Sequence, residues 1–211
     1  IGGGVFITNT EKTPFHTFSI NIPQIPTATV RSLLVDRADN IWIGIGQYGL
    51  LYYDRRTHSF LHQSQIPEFK AMGYATISDI LQRQNGEILF ASYGNGLYSY
   101  RKGEPCRQLT SANSPFIKED RIISLYEDSR ANCWIGTQTG VGVLLPDGSG
   151  FTFNELIVGE KNLSRCYVKD IIEDQNHDIW LATINYGLIR LSGNFSSMQN
   201  ITCKNYCFEE Q

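Results

Sequence analysis

The sequence predicts an all-β protein, a β-propeller array of four-stranded antiparallel blades. One observation is a segment with a polar turn, a large apolar residue and a small residue, which occurs at 36–44, 83–91, 128–136 and 174–182. The second is its spacing, because Trp42, Leu89, Trp134 and Trp180 are separated by 47, 45 and 46 residues. A period of this length, with a turn ahead of an aromatic, is typical of arrays with about four strands per unit.

The first strand of each unit is predicted from a short run that is rich in β-branched residues and bounded by polar clusters. The four runs are 30–35, 77–81, 122–126 and 168–172. A polar hairpin follows each run, with residue types whose side chains bond to their own backbone or tolerate positive φ. We interpret Asp36, Asp128 and Asp174 as structural residues of this hairpin.

The second strand follows the hairpin, at 41–45, 88–92, 133–137 and 179–183. It carries the repeated large residue and, two positions later, a small one. The small residues are Gly44, Ala91, Gly136 and Ala182. A small side chain at a fixed place in a strand indicates that another backbone or strand comes close there.

A glycine-containing turn leads to a third strand, at 50–54, 97–100, 141–144 and 188–191. A fourth and more polar stretch, such as 59–63, is predicted to form the outer edge of the blade, where polar residues protect an exposed strand. A helical solenoid is excluded because no unit keeps a 3.6-residue periodicity. A β-sandwich would not repeat at this interval.

The whole chain, 1–211, is predicted to be a single propeller array. Its expected units are a partial blade at 1–28, blades at 29–74, 75–119 and 120–166, and a last blade with its tail at 167–211. Residues 4–7 and 17–20 resemble the third and fourth strands of a preceding unit. We therefore expect about four full blades in a ring that is incomplete, irregular or closed by a second chain.

Charge and composition limit the function classes. The chain has 18 Lys and Arg against 21 Asp and Glu, a net charge of −3, and its basic residues are scattered. This argues against a nucleic-acid-binding surface and against a polybasic membrane patch. The longest apolar runs have the length of strands, so no membrane segment is expected in these residues. The chain opens in the middle of a repeat, and we interpret it as a fragment or mature segment.

The five cysteines, at 106, 133, 166, 203 and 207, do not have the spacing of metal ligands. Cys133 falls at a buried position of a predicted strand, where it is interpreted as a small apolar residue. Cys203 and Cys207 are near enough in sequence to pair in an oxidising compartment. The set as a whole shows no disulfide framework.

The units resemble two-component regulator propeller repeats, which carry an Asp, a Gly or Asn, a Trp-Ile-Gly step, and then Gly-Leu near Tyr-Asp. The match is best at 36–54 and 174–191. It departs at Arg83, at Leu89, and in the third unit, where Gly-Leu becomes Gly140-Val-Gly142. The likeness extends over roughly residues 1–195.

The resemblance implies the periplasmic sensor region of a hybrid two-component system of the kind common in gut Bacteroidetes. In that family, tandem propellers precede a membrane helix, a histidine kinase, a receiver and a DNA-binding domain, and the sensors typically recognise oligosaccharides. The kinase, receiver and DNA-binding parts are not among these 211 residues. The resemblance thus implies a non-catalytic sensor fragment whose parent protein has its histidine kinase and phosphorelay elsewhere.

Candidate ligand-binding residues lie in the turns between second and third strands, because a propeller presents loops from every blade around one funnel. They are Gln47, Tyr48, Tyr93, Asn95, Gln138, Asn185 and Tyr186. Tyrosine rings beside amide groups suit a neutral sugar, and the alternative is that these are ordinary turn residues. Arg31 and Lys169 share a register on first strands and would meet an anionic ligand if those strands line the channel. Otherwise they are solvated or paired.

Two other functions stay open. A protein-interaction or structural propeller would use exposed apolar blade faces, through self-association or a neighbouring propeller. A glycan-cleaving enzyme would need paired carboxylates at a separation of ~5–10 Å. Asp36, Asp128 and Asp174 instead occur once per blade, around the rim. The sequence also lacks a nucleophile elbow, a phosphate loop and a metalloprotease helix. We therefore expect no catalytic residue, no cofactor and no metal site.

Overall fold

A computed structural model of the protein describes residues 6–9, 13–17, 29–153, 157–158, 161–162, 165–195 and 199–206. It contains four four-stranded sheets, and in each of them every strand pairs antiparallel with the next strand in sequence. These sheets have the size and strand order of propeller blades. The predicted all-β propeller architecture is therefore confirmed, and we number the blades 1 to 4 along the chain.

The strands of the four blades follow the predicted order. Blade 1 consists of Val30–Val35, Ile41–Ile45, Gly49–Asp54 and Ser59–His62. Blade 2 consists of Ile77–Gln82, Ile88–Ser92, Leu97–Tyr100 and Arg107–Leu109. Blade 3 consists of Ile122–Glu127, Cys133–Thr137, Gly140–Leu144 and Gly150–Thr152. Blade 4 consists of Val168–Glu173, Ile179–Thr183, Gly187–Asn194 and Gln199–Tyr206. The second strands have the bounds that the sequence predicted.

Short elements lie between and ahead of the blades. Two 3-10 helices, Gln63–Gln65 and Pro67–Phe69, connect blades 1 and 2, and a small hairpin of Ile157–Val158 and Lys161–Asn162 lies between blades 3 and 4. Strands Phe6–Asn9 and Thr13–Thr17 pair antiparallel ahead of blade 1. The second of these was predicted at 17–20 but begins earlier, since antiparallel hairpins close over short loops. Residues 4, 5 and 18–20 lie outside the described residues.

Neighbouring blades pack through their first strands, which lie side by side in chain order. The hydrophobic core is divided among these junctions. Between blades 1 and 2, Trp42 and Leu50 pack in one cluster with Ile77. Between blades 3 and 4, Trp134 packs in one cluster with Val168. Each blade therefore buries one face of the blade before it.

The small residue of the second strand lies in this junction. A Cβ atom added to Gly44 would meet Ile77 Cγ2 at 2.8 Å, and one added to Gly136 would meet Val168 Cγ1 at 2.8 Å. Both distances are shorter than side-chain carbon atoms tolerate, and each contact crosses to the next blade. Gly44 and Gly136 thus let a β-branched residue of the following blade approach the sheet.

One carboxylate holds the hairpin between the first and second strands in three of the blades. The indole Nε1 donates to aspartate Oδ2 in the pairs Trp42–Asp36, Trp134–Asp128 and Trp180–Asp174, at 3.0, 2.9 and 2.8 Å. In blade 3, the Oδ1 atom of the same aspartate also accepts the backbone N–H groups of Arg130 and Asn132, each at 2.9 Å. The aspartate therefore fixes the turn and gives the buried indole an acceptor.

Blade 2 lacks both partners of this hydrogen bond. Leu89 has no polar atom, and Arg83 stands where the other blades have aspartate. The Arg83 side chain is 4% exposed and contacts Glu87 Oε2 at 3.1 Å and Glu127 Oε1 at 3.3 Å. Its Nη2 donates to the carbonyl oxygen of Ala131 at 3.1 Å. Aspartate and tryptophan disappear together, which supports a structural role for the hairpin aspartates.

Removing the carboxylate in blade 3 is expected to destabilise the protein strongly. Asp128 is fully buried, so Asp128→Ala leaves the indole N–H and two backbone N–H groups without their acceptor. We expect the free energy of unfolding to fall by ~3 kcal/mol, measured by urea denaturation. Asp36→Ala, at the half-buried equivalent in blade 1, is the control with a loss of ~1 kcal/mol. Equal losses for the two variants would contradict this role of burial.

Candidate functional site

The candidate site is the end of the array that carries the turns between second and third strands, at 46–48, 93–96, 138–139 and 184–186, which we call the turn face. The connector that enters the following blade runs past these turns. The Gly49 N–H donates to the Ala75 carbonyl at 2.8 Å, and the Gly96 N–H donates to the Asp120 carbonyl at 2.9 Å. The turn face is therefore made of turns and connectors bound to each other.

The three predicted tyrosines lie on the turn face and differ in accessibility. Tyr93 is 44% exposed. Tyr48 is half-buried against the cluster of Ile43, Ile45 and Leu51 within blade 1. Tyr186 is half-buried against the cluster shared by blades 3 and 4. Tyr93 is thus the ring that offers the most surface to a ligand.

Hydrogen bonds to the backbone engage several of the predicted amide residues. Asn185 Oδ1 accepts the Tyr167 N–H at 3.0 Å and so holds the connector into blade 4. The Gln47 N–H, at a φ of 67°, donates to Thr76 Oγ1 at 3.0 Å. The carbonyl oxygen of Asn95 accepts Gln108 Nε2 at 2.9 Å. These contacts are those of turn residues.

The Gln138 side chain is different. Its Oε1 atom is buried and has no hydrogen-bond partner among the described residues. A buried amide oxygen without a partner is uncommon in folded proteins. The lone pairs of this oxygen are therefore not used by any described residue.

Arg31 and Lys169 lie on the first strands of blades 1 and 4, and both side chains are exposed. Lys169 Nζ is 6.0 Å from the ring centroid of Tyr167. The structure therefore places these cations on the first strands of two different blades, the first and the fourth. The anionic-ligand role remains a prediction.

Asp79, on the first strand of blade 2, was missed by the sequence analysis. Its Oδ2 atom accepts the Leu125 N–H of blade 3 at 2.7 Å, and its Oδ1 atom accepts the Ile80 N–H at 2.8 Å. Burial raises the pKa of this carboxyl to about 6, although these hydrogen bonds lower it; the charge of Asp170 adds to the rise. The only sequence signal was an acidic residue inside an otherwise apolar strand.

The cysteines do not form a reactive site in the described residues. Burial raises the pKa of Cys106 and of Cys133 to about 12, and that of Cys166 to about 11. These thiols are therefore protonated near neutral pH and are poor nucleophiles. Cys133 is fully buried in the second strand of blade 3, as predicted. The suggested partner of Cys203, at position 207, lies outside the described residues.

Among the described residues, no group of three or more His, Cys, Asp and Glu side chains is placed to hold a metal ion. None of the helices in that part of the chain is long and apolar enough to cross a membrane.

Comparison with known proteins finds similarity in sequence to a curated protein and similarity in fold to solved structures. No family model matches the chain. Histidine kinase P4 of Formosa agariphila is 32% identical over 81 residues, which is 36% of this chain and 6% of that protein. The match is to a signalling protein, and this chain spans only a small part of its length.

Solved structures share the fold. The extracellular domain of a putative hybrid two-component system of B. thetaiotaomicron superposes with a TM-score of 0.68 at 18% identity, over 93% of this chain and 29% of that one. PorZ, a surface component of the type-IX secretion system of Porphyromonas gingivalis, also has a TM-score of 0.68 at 18% identity, over 90% of this chain and 30% of that one. The chain therefore spans less than a third of either protein.

An enzyme has the same fold. Virginiamycin B lyase of Staphylococcus aureus superposes with a TM-score of 0.62 at 13% identity, over 84% of this chain and 55% of that one. At these identities the likenesses show a propeller fold. The resemblance to two-component sensor propellers is confirmed in that a signalling domain is among the structural neighbours and a histidine kinase among the relatives.

The raised pKa of Asp79 predicts a pH dependence of stability. The folded protein holds this proton more tightly than the unfolded chain, so the stabilisation is complete below about pH 4 and is lost as pH rises through about 6. The shift from 3.8 to about 6 corresponds to on the order of 3 kcal/mol. Asp79→Asn should remove this decline, measured by urea unfolding between pH 4 and 7.

The matched control is Asp170→Asn, which changes the equivalent residue of blade 4, where the carboxyl side chain is exposed. This variant should keep most of the decline. A decline that persists unchanged in Asp79→Asn would contradict the assignment.

Proposed function

We propose that the chain is an extracytoplasmic sensor propeller of a hybrid two-component signalling protein. It binds an oligosaccharide at the turn face and relays the change to a histidine kinase outside these 211 residues. The observation that carries the proposal is the turn face itself, with the accessible ring of Tyr93 and the Gln138 amide oxygen, which no described residue satisfies. The match to a histidine kinase and the likeness to an extracellular domain of a two-component system support the setting.

The chemistry of the turn face favours a neutral sugar. The Tyr93 ring offers an apolar face for stacking, and the half-buried Gln138 carries an amide oxygen that no described residue uses. Tyr48 and Tyr186 present partly buried rings at the same end. The hydroxyl groups of a sugar donate and accept hydrogen bonds without requiring a charged partner. The periplasm is the compartment in which such a sensor would meet its ligand.

A protein-interaction propeller is the second candidate, and one observation favours it. Large apolar side chains are exposed at both ends of the array. They include Leu33 and Val35 in blade 1 and Ile172, Ile184 and Leu188 in blade 4. Apolar surface of this kind is typical of a contact with another protein or copy. Under this candidate the turn face has no ligand, and association through the blade faces is the function.

A glycan-cleaving enzyme is the weakest candidate. The carboxylates of Asp36, Asp128 and Asp174 accept hydrogen bonds from their own hairpins. Each belongs to a different blade. Their lone pairs are used within the fold, so these residues have no position from which to attack or protonate a glycosidic bond.

Titration calorimetry against plant and host oligosaccharides tests the proposal. We expect saturable heat, and the recovered sugar should be intact. Tyr93→Ala should weaken binding at least tenfold without changing the unfolding midpoint, because the ring is exposed. Tyr53→Ala is the control, since that tyrosine lies at the other end of the third strand of blade 1 and should leave binding unchanged.

The half-buried rings provide a second test of the same site. Tyr48→Ala and Tyr186→Ala should lose sugar binding and keep the folded state, which circular dichroism at the assay temperature verifies. The absence of heat with every sugar would favour the interaction propeller. Cleaved sugar after the titration would favour the enzyme.

A further inference from the structure

The exposed face of blade 4 is unlike the corresponding faces of blades 1 to 3. The first apolar residue of the third strand is Leu50, Leu97 or Val141 in those blades, with exposures of 0, 0 and 1%. Its equivalent in blade 4, Leu188, is 40% exposed. In the first three blades the next blade covers this position. In blade 4 the described residues leave it uncovered.

An open apolar cavity of about 330 Å³ lies on this face. Ile172, Trp180, Ala182 and Leu188 line it, together with Asp170. Trp134, the blade 3 equivalent of Trp180, is fully buried. The cavity is thus the surface that blade 4, as the preceding blade, would contribute to a junction with another blade.

The three junctions inside the chain show what fills such a face. At each one, the first strand of the following blade begins with a β-branched residue that is fully buried, namely Ile77, Ile122 or Val168. In two junctions the structure places this residue directly against Gly44 or Gly136. Ala182 is the corresponding small residue of blade 4, and it lines the open cavity instead of meeting such a residue.

A hydrogen bond also repeats across the junctions. The residue after the hairpin position donates its backbone N–H to a side-chain oxygen at the end of the next first strand. The pairs are Arg37 to Gln82 at 2.9 Å, Gln84 to Glu127 at 2.6 Å and Ser129 to Glu173 at 2.7 Å. Every acceptor is Glu or Gln. Gln175 holds the donor position in blade 4, and its N–H has no acceptor among the described residues.

Asp170 is a third group on this face that would contact a following blade. In blade 2, Asp79 occupies the same place and accepts the Leu125 N–H of blade 3. Asp170 binds its own neighbour in the same way, since Oδ1 accepts the Ile171 N–H at 2.9 Å. Asp170 is exposed at the edge of the cavity, where a first strand of another blade would present the matching N–H group.

The first blade of this chain does not match this face. Val35 stands where blades 2, 3 and 4 have Gln82, Glu127 and Glu173. Valine offers no acceptor to the Gln175 N–H. Neither closure of the ring on blade 1 nor docking of a second copy through blade 1 therefore restores the repeated hydrogen bond.

We propose that the exposed face of blade 4 is the seat of a further blade of the same repeat, from outside these 211 residues. The first strand of that blade begins with a β-branched residue that covers Ala182. It ends with Glu or Gln, which accepts the Gln175 N–H. This inference concerns the blade faces and does not rest on sugar binding at the turn face.

Appending a blade to the full chain tests the proposal. A copy of residues 110–152, which contains a natural connector and the third blade with Glu127, is fused after residue 211. Hydrogen exchange of the Gln175 amide should slow at least tenfold relative to the unfused chain. The matched control carries Glu127→Val in the appended copy only, and should leave this amide exchanging nearly as fast as before.

Three results would overturn the proposal. The first is equal protection of Gln175 by the Glu and Val copies. The second is an appended copy with protected amides of its own that leaves Gln175 unprotected. The third is a dimer of the unfused chain in sedimentation that already protects Gln175, because a second copy would then be the occupant.

Failure of the appended blade to fold is judged with a second fusion, of residues 63–109, which carry Gln82. Protection of Gln175 by either fusion supports the proposal. If neither copy acquires protected amides, the face does not template a blade and the proposal is wrong.

Discussion

A hydrogen bond from one outward backbone N–H of the hairpin to a side-chain oxygen of the following blade is common to the three described junctions. In blade 1, Asp36 Oδ1 accepts the N–H groups of Ala38 and Asn40, while Oδ2 accepts Trp42 Nε1. The Arg37 N–H, which lies between them in sequence, does not bind this carboxylate and donates instead across the junction to Gln82 Oε1. Because the carboxylate is satisfied within its own hairpin, the turn presents one N–H outward in a fixed position. Blade 3 repeats the arrangement, and the Ser129 N–H reaches Glu173.

Blade 2 reaches the same junction geometry by other chemistry. Arg83 replaces the aspartate, and its guanidinium joins Glu87 of its own blade to Glu127 and Ala131 of blade 3. A buried cation between two carboxylates is tolerated because each hydrogen-bonding group has a partner. The neighbouring Gln84 N–H still meets Glu127. The outward N–H is therefore the feature that all three junctions keep, whichever residue supports the turn.

The strands could be predicted from the sequence because the period aligned four copies of one pattern. The sequence predicted a turn at Asp36, a buried ring at Trp42 and a close approach of another strand at Gly44, and the structure has each of them. The role of Asp79 could not be read in this way, since its hydrogen bond depends on a strand that follows 46 residues later. For the turn face, the sequence indicated the residues but not their partners: Asn185 is engaged by the connector at Tyr167, whereas Gln138 Oε1 has no partner in the described part of the chain.

The outward N–H gives the array a direction. In this hydrogen bond the donor belongs to the preceding blade and the acceptor to the following one at each of the three described junctions, whereas the Leu125 N–H donates in the opposite direction, to Asp79. The two faces of a blade are therefore chemically different, because one face presents the hairpin N–H and the other presents the Glu or Gln acceptor of blades 2 to 4. Each blade contacts only its neighbours, so this difference decides at every junction which face meets which. Blades of this repeat can consequently stack in one orientation only.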